Sequence, residues 1–113
     1  MPRNMSFALT TEQMRNKTKT VTRRNGWWFL KPGDVVNAVE KAMGLKKGEN
    51  IKRIGKIRII DTRKIRVSQI DHEDLIREGL PHMSPAEFVG FFCDSHRGCS
   101  PDTIINRIEF EHL

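Results

Sequence analysis

Apolar residues occur along this chain in short clusters, each bounded by residues that favour turns. After a loose start over residues 1–5, the apolar piece Ser6–Leu9 reads as a first strand. Thr10 precedes Gln13 by three residues, the capping-box spacing, which predicts a short helix over Thr11–Asn16. Thr18, Thr20, Val21 and Thr22 are β-branched and favour extended backbone over Lys19–Arg24. Turn signals follow at Asn25-Gly26 and at Lys31-Pro32-Gly33-Asp34, and between them Trp27, Trp28, Phe29 and Leu30 form the densest aromatic cluster in the chain.

Val35 and Val39 alternate with Val36 and Ala38, so this segment predicts a strand buried on both sides. Residues 42–50 read as an exposed basic loop. Between Ile51 and Ile70, Ile57, Ile59, Ile65 and Val67 stand among Arg53, Lys56, Arg58, Arg63, Lys64 and Arg66. That pattern predicts two strands, or one long bent strand, with a break at Asp61-Thr62, one face apolar and the other cationic. Asp71 is placed to cap a short helix ending near Arg77, with Gly79 just beyond it. Ser84-Pro85-Ala86-Glu87 is a clearer helix start, and Phe88, Val89, Phe91 and Phe92 supply its apolar face. A closing strand runs from Ile104 to Phe110. Short strands interrupted by two or three short helices predict an α+β fold with a curved sheet or small barrel.

The chain's 113 residues suit one domain, and the 37% hydrophobic and 30% charged composition is that of a globular protein. There is no apolar run of membrane-spanning length, and Met-Pro-Arg-Asn lacks a signal's apolar core, so a cytoplasmic protein without membrane contact is expected. Two cysteines, Cys93 and Cys99, fit a reducing compartment. Charge is segregated: residues 1–66 hold 17 Lys and Arg against five Asp and Glu, whereas residues 67–113 hold three against nine. Clustered cations reward counterion release, so RNA, DNA or a nucleotide-like ligand is the expected partner, against a merely solubilising basic surface.

The most concentrated chemistry lies in Lys17–Arg24, which holds four cations and three threonines and no carboxylate. A threonine hydroxyl becomes nucleophilic when a base takes its proton, and a lysine crowded by cations or desolvated can be that base near neutral pH. Lys19 and Thr22 are three apart, so on a regular strand they would point to opposite faces. Their convergence requires a turn or bulge between them.

Cys93, His96 and Cys99, with His82 as a possible fourth, are adequate zinc ligands by chemistry. Their spacing lacks a second paired knuckle, however, and the bland alternative is a pair of buried or loop-terminal cysteines. His72 and His112 read as surface residues. Arg107, among core positions of the closing strand, calls for an anion, with Glu78 or Glu109 as the expected structural partner. There is no glycine-rich phosphate loop, H-E-x-x-H or G-x-S-x-G signature.

Lys17–Arg24 resembles the ASCH family, small domains with a PUA-like β-barrel. In that family's G-x-K-x-x-E-x-R motif, Lys19 and Arg24 match the Lys and Arg, while Lys17 and Thr22 stand at the Gly and Glu positions. Lys19, Thr20, Val21, Thr22 and Arg24 match the K-T-φ-T-x-R of the acetylcytidine amidohydrolase subgroup, where φ is apolar. The likeness extends to Leu30-Lys31-Pro32-Gly33-Asp34, to Arg107-Ile108-Glu109-Phe110, and to Glu78 as the family's acid, covering most of the chain. Arg23, where the family has an apolar neighbour, and the Trp pair with Lys46-Lys47 are departures.

The resemblance implies a single domain over residues 1–113 and a catalytic trio: Thr22 as nucleophile, Lys19 as its activator and Glu78 as acid/base. Their action would release acetate from a modified cytidine without a cofactor. Lys17, Arg23, Arg24, Trp27, Trp28, Lys46, Lys47 and Arg107 are the expected nucleic-acid or ligand contacts. A noncatalytic RNA- or DNA-binding module is the alternative. Ribonuclease activity is also known among ASCH relatives.

Overall fold

The turn residues partition the chain much as expected. The computed structural model describes residues 3–41 and 45–113. It contains β1 (Asn4–Ser6), α1 (Thr11–Arg15), β2 (Val21–Arg24), β3 (Val35–Val39), β4 (Arg53–Arg66), α2 (His72–Arg77), α3 (Pro85–Asp94) and β5 (Ile104–His112). The strands form one sheet in the order β1-β3-β4-β5-β2; β1 lies parallel to β3 and the other pairings are antiparallel. The fold is α+β with a mixed five-stranded sheet. Of the expected basic loop, residues 42–44 lie outside the described residues, and Lys46–Asn50 are exposed.

Ser84 caps α3 as its sequence predicts, accepting from the Glu87 backbone N–H while the Glu87 side chain accepts from the Ser84 N–H. Asp71 caps α2 through the Asp74 N–H. Thr10 makes no such contact at α1, where its φ of −130° and ψ of 33° depart from the extended cap conformation, and the Gln13 side chain donates to the Gly79 carbonyl instead. The first strand is shifted to Asn4–Ser6, and Phe7 and Thr10 already belong to a tight turn, through a hydrogen bond from Thr10 N to the Phe7 carbonyl.

The long apolar-cationic segment is one strand with a bulge. Register slips between Ile59 and Asp61, leaving Ile60 as the extra residue. Since side chains alternate with a period of two, one inserted residue reverses which parity faces which side. Ile57 and Ile59 accordingly pack with Met5, Phe7, Ile108 and Phe110 in one core cluster. Ile65 and Val67, of the same odd parity, pack instead with Leu75, Leu80, Phe88 and Ile105 in a second. In β5, Ile105 and Ile108 are three apart and serve these two clusters from opposite faces.

The sheet curls strongly. Four strand spacings would hold the edges of a flat sheet about 19 Å apart. Yet an Arg24 guanidinium nitrogen on β2 donates to the Ser6 carbonyl of β1 at 2.6 Å. Among the described residues no backbone ladder joins these two edges, so the sheet remains open at a seam bridged by a side chain.

Cys93 and Cys99 are bonded to each other, with Cα atoms 5.0 Å apart. This differs from the reduced cysteines that a reducing compartment would hold: α3 ends at Asp94 with Ser95 as its C-cap, and the chain turns back through Gly98 at φ 72°. No helix among the described residues is long and apolar enough to cross a membrane.

Candidate functional site

The convergence of Lys19 with Thr22 depends on how the chain leaves α1. Lys17 adopts φ 62°, and the backbone N–H groups of Thr18 and Lys19 both return to the Gln13 carbonyl. Thr20 N–H donates to the Arg77 carbonyl, and regular pairing begins only at Val21. The turn therefore falls at Lys17, ahead of Lys19, and not between Lys19 and Thr22, where the strand period called for one; Lys19 itself lies in the irregular entrance to β2. Gly79, at φ 82°, closes the opposite side; a Cβ there would stand 2.7 Å from Cγ of Gln13 and 3.4 Å from Cβ of Lys19.

Lys19, Thr22, Arg23, Arg24 and Glu78 line one cleft of about 260 Å³ that opens at the seam between β1 and β2. Leu80, Phe88, Phe91, Phe92 and His96 line it as well and supply an apolar, largely aromatic wall. The His96 ring stacks on Phe92 at 4.1 Å, with Nδ1 2.8 Å from the Phe92 carbonyl oxygen, which makes Nδ1 the protonated nitrogen.

Lys19 and Glu78 are each only 3% exposed. The Lys19 ammonium donates to the Glu78 carboxylate at 2.8 Å and to its backbone carbonyl at 2.9 Å. Burial pushes the Lys19 ammonium below the usual lysine range, and Glu78 offsets part of that shift. The Arg24 Nε–H donates to the Thr22 hydroxyl oxygen at 3.1 Å. Burial, partly opposed by Glu78, pulls the Arg24 guanidinium down to about 10. His112, read from sequence as a surface residue, is half-buried, and its Nε2 stands 2.7 Å from the Lys19 carbonyl oxygen.

Arg23, expected as a nucleic-acid or ligand contact, lines the cleft but is only 5% exposed, and its guanidinium donates to Glu78 at 2.8 Å and to Asp74 at 2.5 Å. Arg107 likewise finds a partner that sequence reasoning missed: its Nε and Nη2 grip Asp74 at 2.8 and 2.9 Å, while Glu109 stands at 3.8 Å. Asp74 also accepts from Arg77 at 2.9 Å, and these guanidinium groups, Arg107 first, hold its carboxyl well below the usual range. Nothing local marked Asp74; as an acid in the first turn of α2 it looked like ordinary dipole compensation.

The remaining candidates are dispersed. Lys17, Lys46 and Lys47 are exposed and do not line the cleft, and Arg107 lines a different cavity. Trp27 is partly buried against the first core cluster, whereas Trp28 is exposed with the Lys64 ammonium 5.7 Å from its ring centroid. The zinc arrangement is not assembled: Cys93 and Cys99 are spent on each other, and no group of three His, Cys, Asp or Glu is placed to hold a metal among the described residues.

Comparison with solved structures gives the fold a reference. An ASCH domain from Lactobacillus crispatus superposes with a TM-score of 0.68 at 16% identity, over 97% of this chain and 78% of the other. Protein EF3133 from Enterococcus faecalis, assigned to DUF984, gives 0.68 at 15% identity over 100% of this chain and 80% of its own. The hypothetical protein PH0355 gives 0.70 at 16% identity, with both chains fully covered. The chain has the fold of an ASCH-like domain. No family model matches the sequence, and no curated protein matches it either.

Proposed function

We propose that the cleft binds an acylated nucleobase or nucleoside, free or within RNA, and hydrolyses the exocyclic amide of acetylcytidine. The supporting observation is the burial of Lys19 and Glu78 beside Thr22 in one cleft whose other wall is aromatic. A flat base suits such a wall through stacking. In the proposed reaction the Lys19 ammonium first passes its proton to the Glu78 carboxylate, and Thr22 Oγ1 then attacks the acetyl carbonyl while its own proton passes to the resulting Lys19 amine. The C–N bond breaks as Glu78 supplies a proton to the departing cytidine nitrogen. Water, deprotonated by the same groups, then cleaves the acyl-threonine to acetate. The Arg24 N–H already aimed at Thr22 Oγ1 stabilises negative charge on that oxygen.

Residues 1–113 form one domain in this reading, a PUA-like barrel left open at the seam where the cleft lies. Its test is incubation of purified protein with acetylcytidine and chromatographic detection of cytidine. Thr22→Ala should lower the rate by at least about a hundredfold. If wild type and Thr22→Ala are equally silent, the hydrolase reading fails.

A second reading, a noncatalytic RNA- or DNA-binding module, draws on exposed Trp28 with Lys64 over its ring, beside the cationic strand β4. It requires oligonucleotide affinity that falls steeply with salt and weakens in Trp28→Ala.

A further inference from the structure

The sheet places three arginines in one cross-strand row. Arg107 on β5 is in register with Arg63 on β4 and with Arg23 on β2. Like charges directly opposite one another destabilise a sheet unless anions separate them. Asp74 accepts from Arg23, Arg107 and Arg77, and Glu78 is divided between Arg23 and Lys19. Two buried carboxylates thus carry the hydrogen bonds of four cations, before Arg63 is counted; Glu73 and Glu109 stand farther off, each at 3.8 Å from Arg77 and Arg107 respectively. Arg63 has only a 3.4 Å contact to Asp61 and leaves its side chain 60% exposed.

This surplus faces a cavity. Arg23, Arg63, Arg77 and Arg107 line a space of about 520 Å³, with Ser68 and Gln69 as uncharged polar groups. Asp71 and Asp74 are its acidic lining, so four cations meet two anions there. Among the described residues the Arg107 Nη1 is buried without a hydrogen-bond partner, in a side chain 10% exposed, with Glu109 reaching it only as an ion pair at 3.8 Å. A buried guanidinium nitrogen left without a hydrogen bond is costly, and a tetrahedral oxyanion offers acceptors to several guanidinium groups at once.

We propose that this cavity is a binding site for the phosphate group of a phosphate ester, on a monoester or on a phosphodiester. It is distinct from the Lys19–Thr22–Glu78 cleft, with which it shares Arg23 and no other lining residue. It does not rest on the amidohydrolase reading, since it concerns a different cavity and no bond is broken in it.

The test is calorimetric titration of wild-type protein with inorganic phosphate at ionic strength held constant with chloride, followed by competition with cytidine 5′-monophosphate and with the dinucleoside phosphate UpU. Wild type should bind phosphate above the chloride background. Arg63→Glu should weaken that binding at least about tenfold, the loss of one charge-assisted hydrogen bond. Lys52→Glu, the same charge change at an exposed residue that does not line the cavity, should leave it unaltered. Displacement by the monophosphate alone assigns a monoester, and displacement by UpU as well assigns a site that takes a diester. The proposal is overturned by phosphate binding no tighter than chloride, by displacement with neither ester, or by equal losses in Arg63→Glu and Lys52→Glu, which would mark diffuse attraction. Because Arg63 is exposed, unchanged thermal unfolding will separate lost binding from lost fold.

Discussion

Asp74→Asn tests the network behind the cleft most directly. The carboxylate accepts four charge-assisted hydrogen bonds, two from Arg107 at 2.8 and 2.9 Å, one from Arg23 at 2.5 Å and one from Arg77 at 2.9 Å. Taken singly at about 1.5–3 kcal/mol they would sum to more than is physically reasonable, because such bonds share one desolvation cost and are not additive. Removing one partner of a buried ion pair costs about 3–5 kcal/mol. The Asp74 side chain is 12% exposed beside a cavity that admits water, which argues for the lower end, about 3 kcal/mol. For a chain of this length that is a fall in Tm on the order of 10–15 °C.

Urea unfolding at pH 7 measures the effect, and its pH dependence identifies the cause. A carboxyl depressed in the folded state gives stability that is present above its unfolded value, near 3.9, and is lost as pH falls through the folded value. Wild type should therefore lose its advantage over Asp74→Asn progressively below about pH 4. A loss smaller than about 1 kcal/mol at pH 7, or a difference between the proteins that does not shrink in acid, would refute the argument.

Two further outcomes follow from the same geometry. Gly79→Ala combines φ 82° with a Cβ 2.7 Å from Gln13, and should cost roughly 2 kcal/mol or more by denaturant titration; a near-neutral result would show that Gln13 moves aside freely. Lys19 sheds its proton more readily folded than unfolded, so wild-type stability should rise with pH up to about 10.4, the unfolded lysine value. Lys19→Met should lose that part of the slope while keeping the part due to Arg24, which lies above about pH 10, and superimposable slopes would contradict it.

Local chemistry was readable where one residue does one job. Ser84 and Glu87 cap α3 through contacts three residues apart, and Val35–Val39 forms a strand with Pro-Gly before it. The bulge was not readable, because Ile60 carries no glycine or proline to announce it, and the odd-numbered Ile57, Ile59, Ile65 and Val67 look like one face until the register is known. The cleft was half-legible. Lys19, Thr22, Arg24 and Glu78 do share it, whereas the burial of Arg23 and the role of Asp74 depend on pairing residues 51 positions apart. Cationic strands look solvated in sequence whether their partners are water or distant carboxylates. The aromatic wall was visible only as a helix face: Phe88 and Phe92 are buried as expected, while Phe91 remains accessible to the cleft.

The Arg24 bridge across the seam has a kinetic consequence. A sheet closed by a ladder could open a path at this position only by breaking a row of backbone hydrogen bonds. Here the contact between the edges through Arg24 is one guanidinium nitrogen on the Ser6 carbonyl, steadied by the Phe7 ring 4.7 Å beneath the guanidinium. Exchange of a ligand through the seam would then be paced by the swing of one side chain, with the strands left in place.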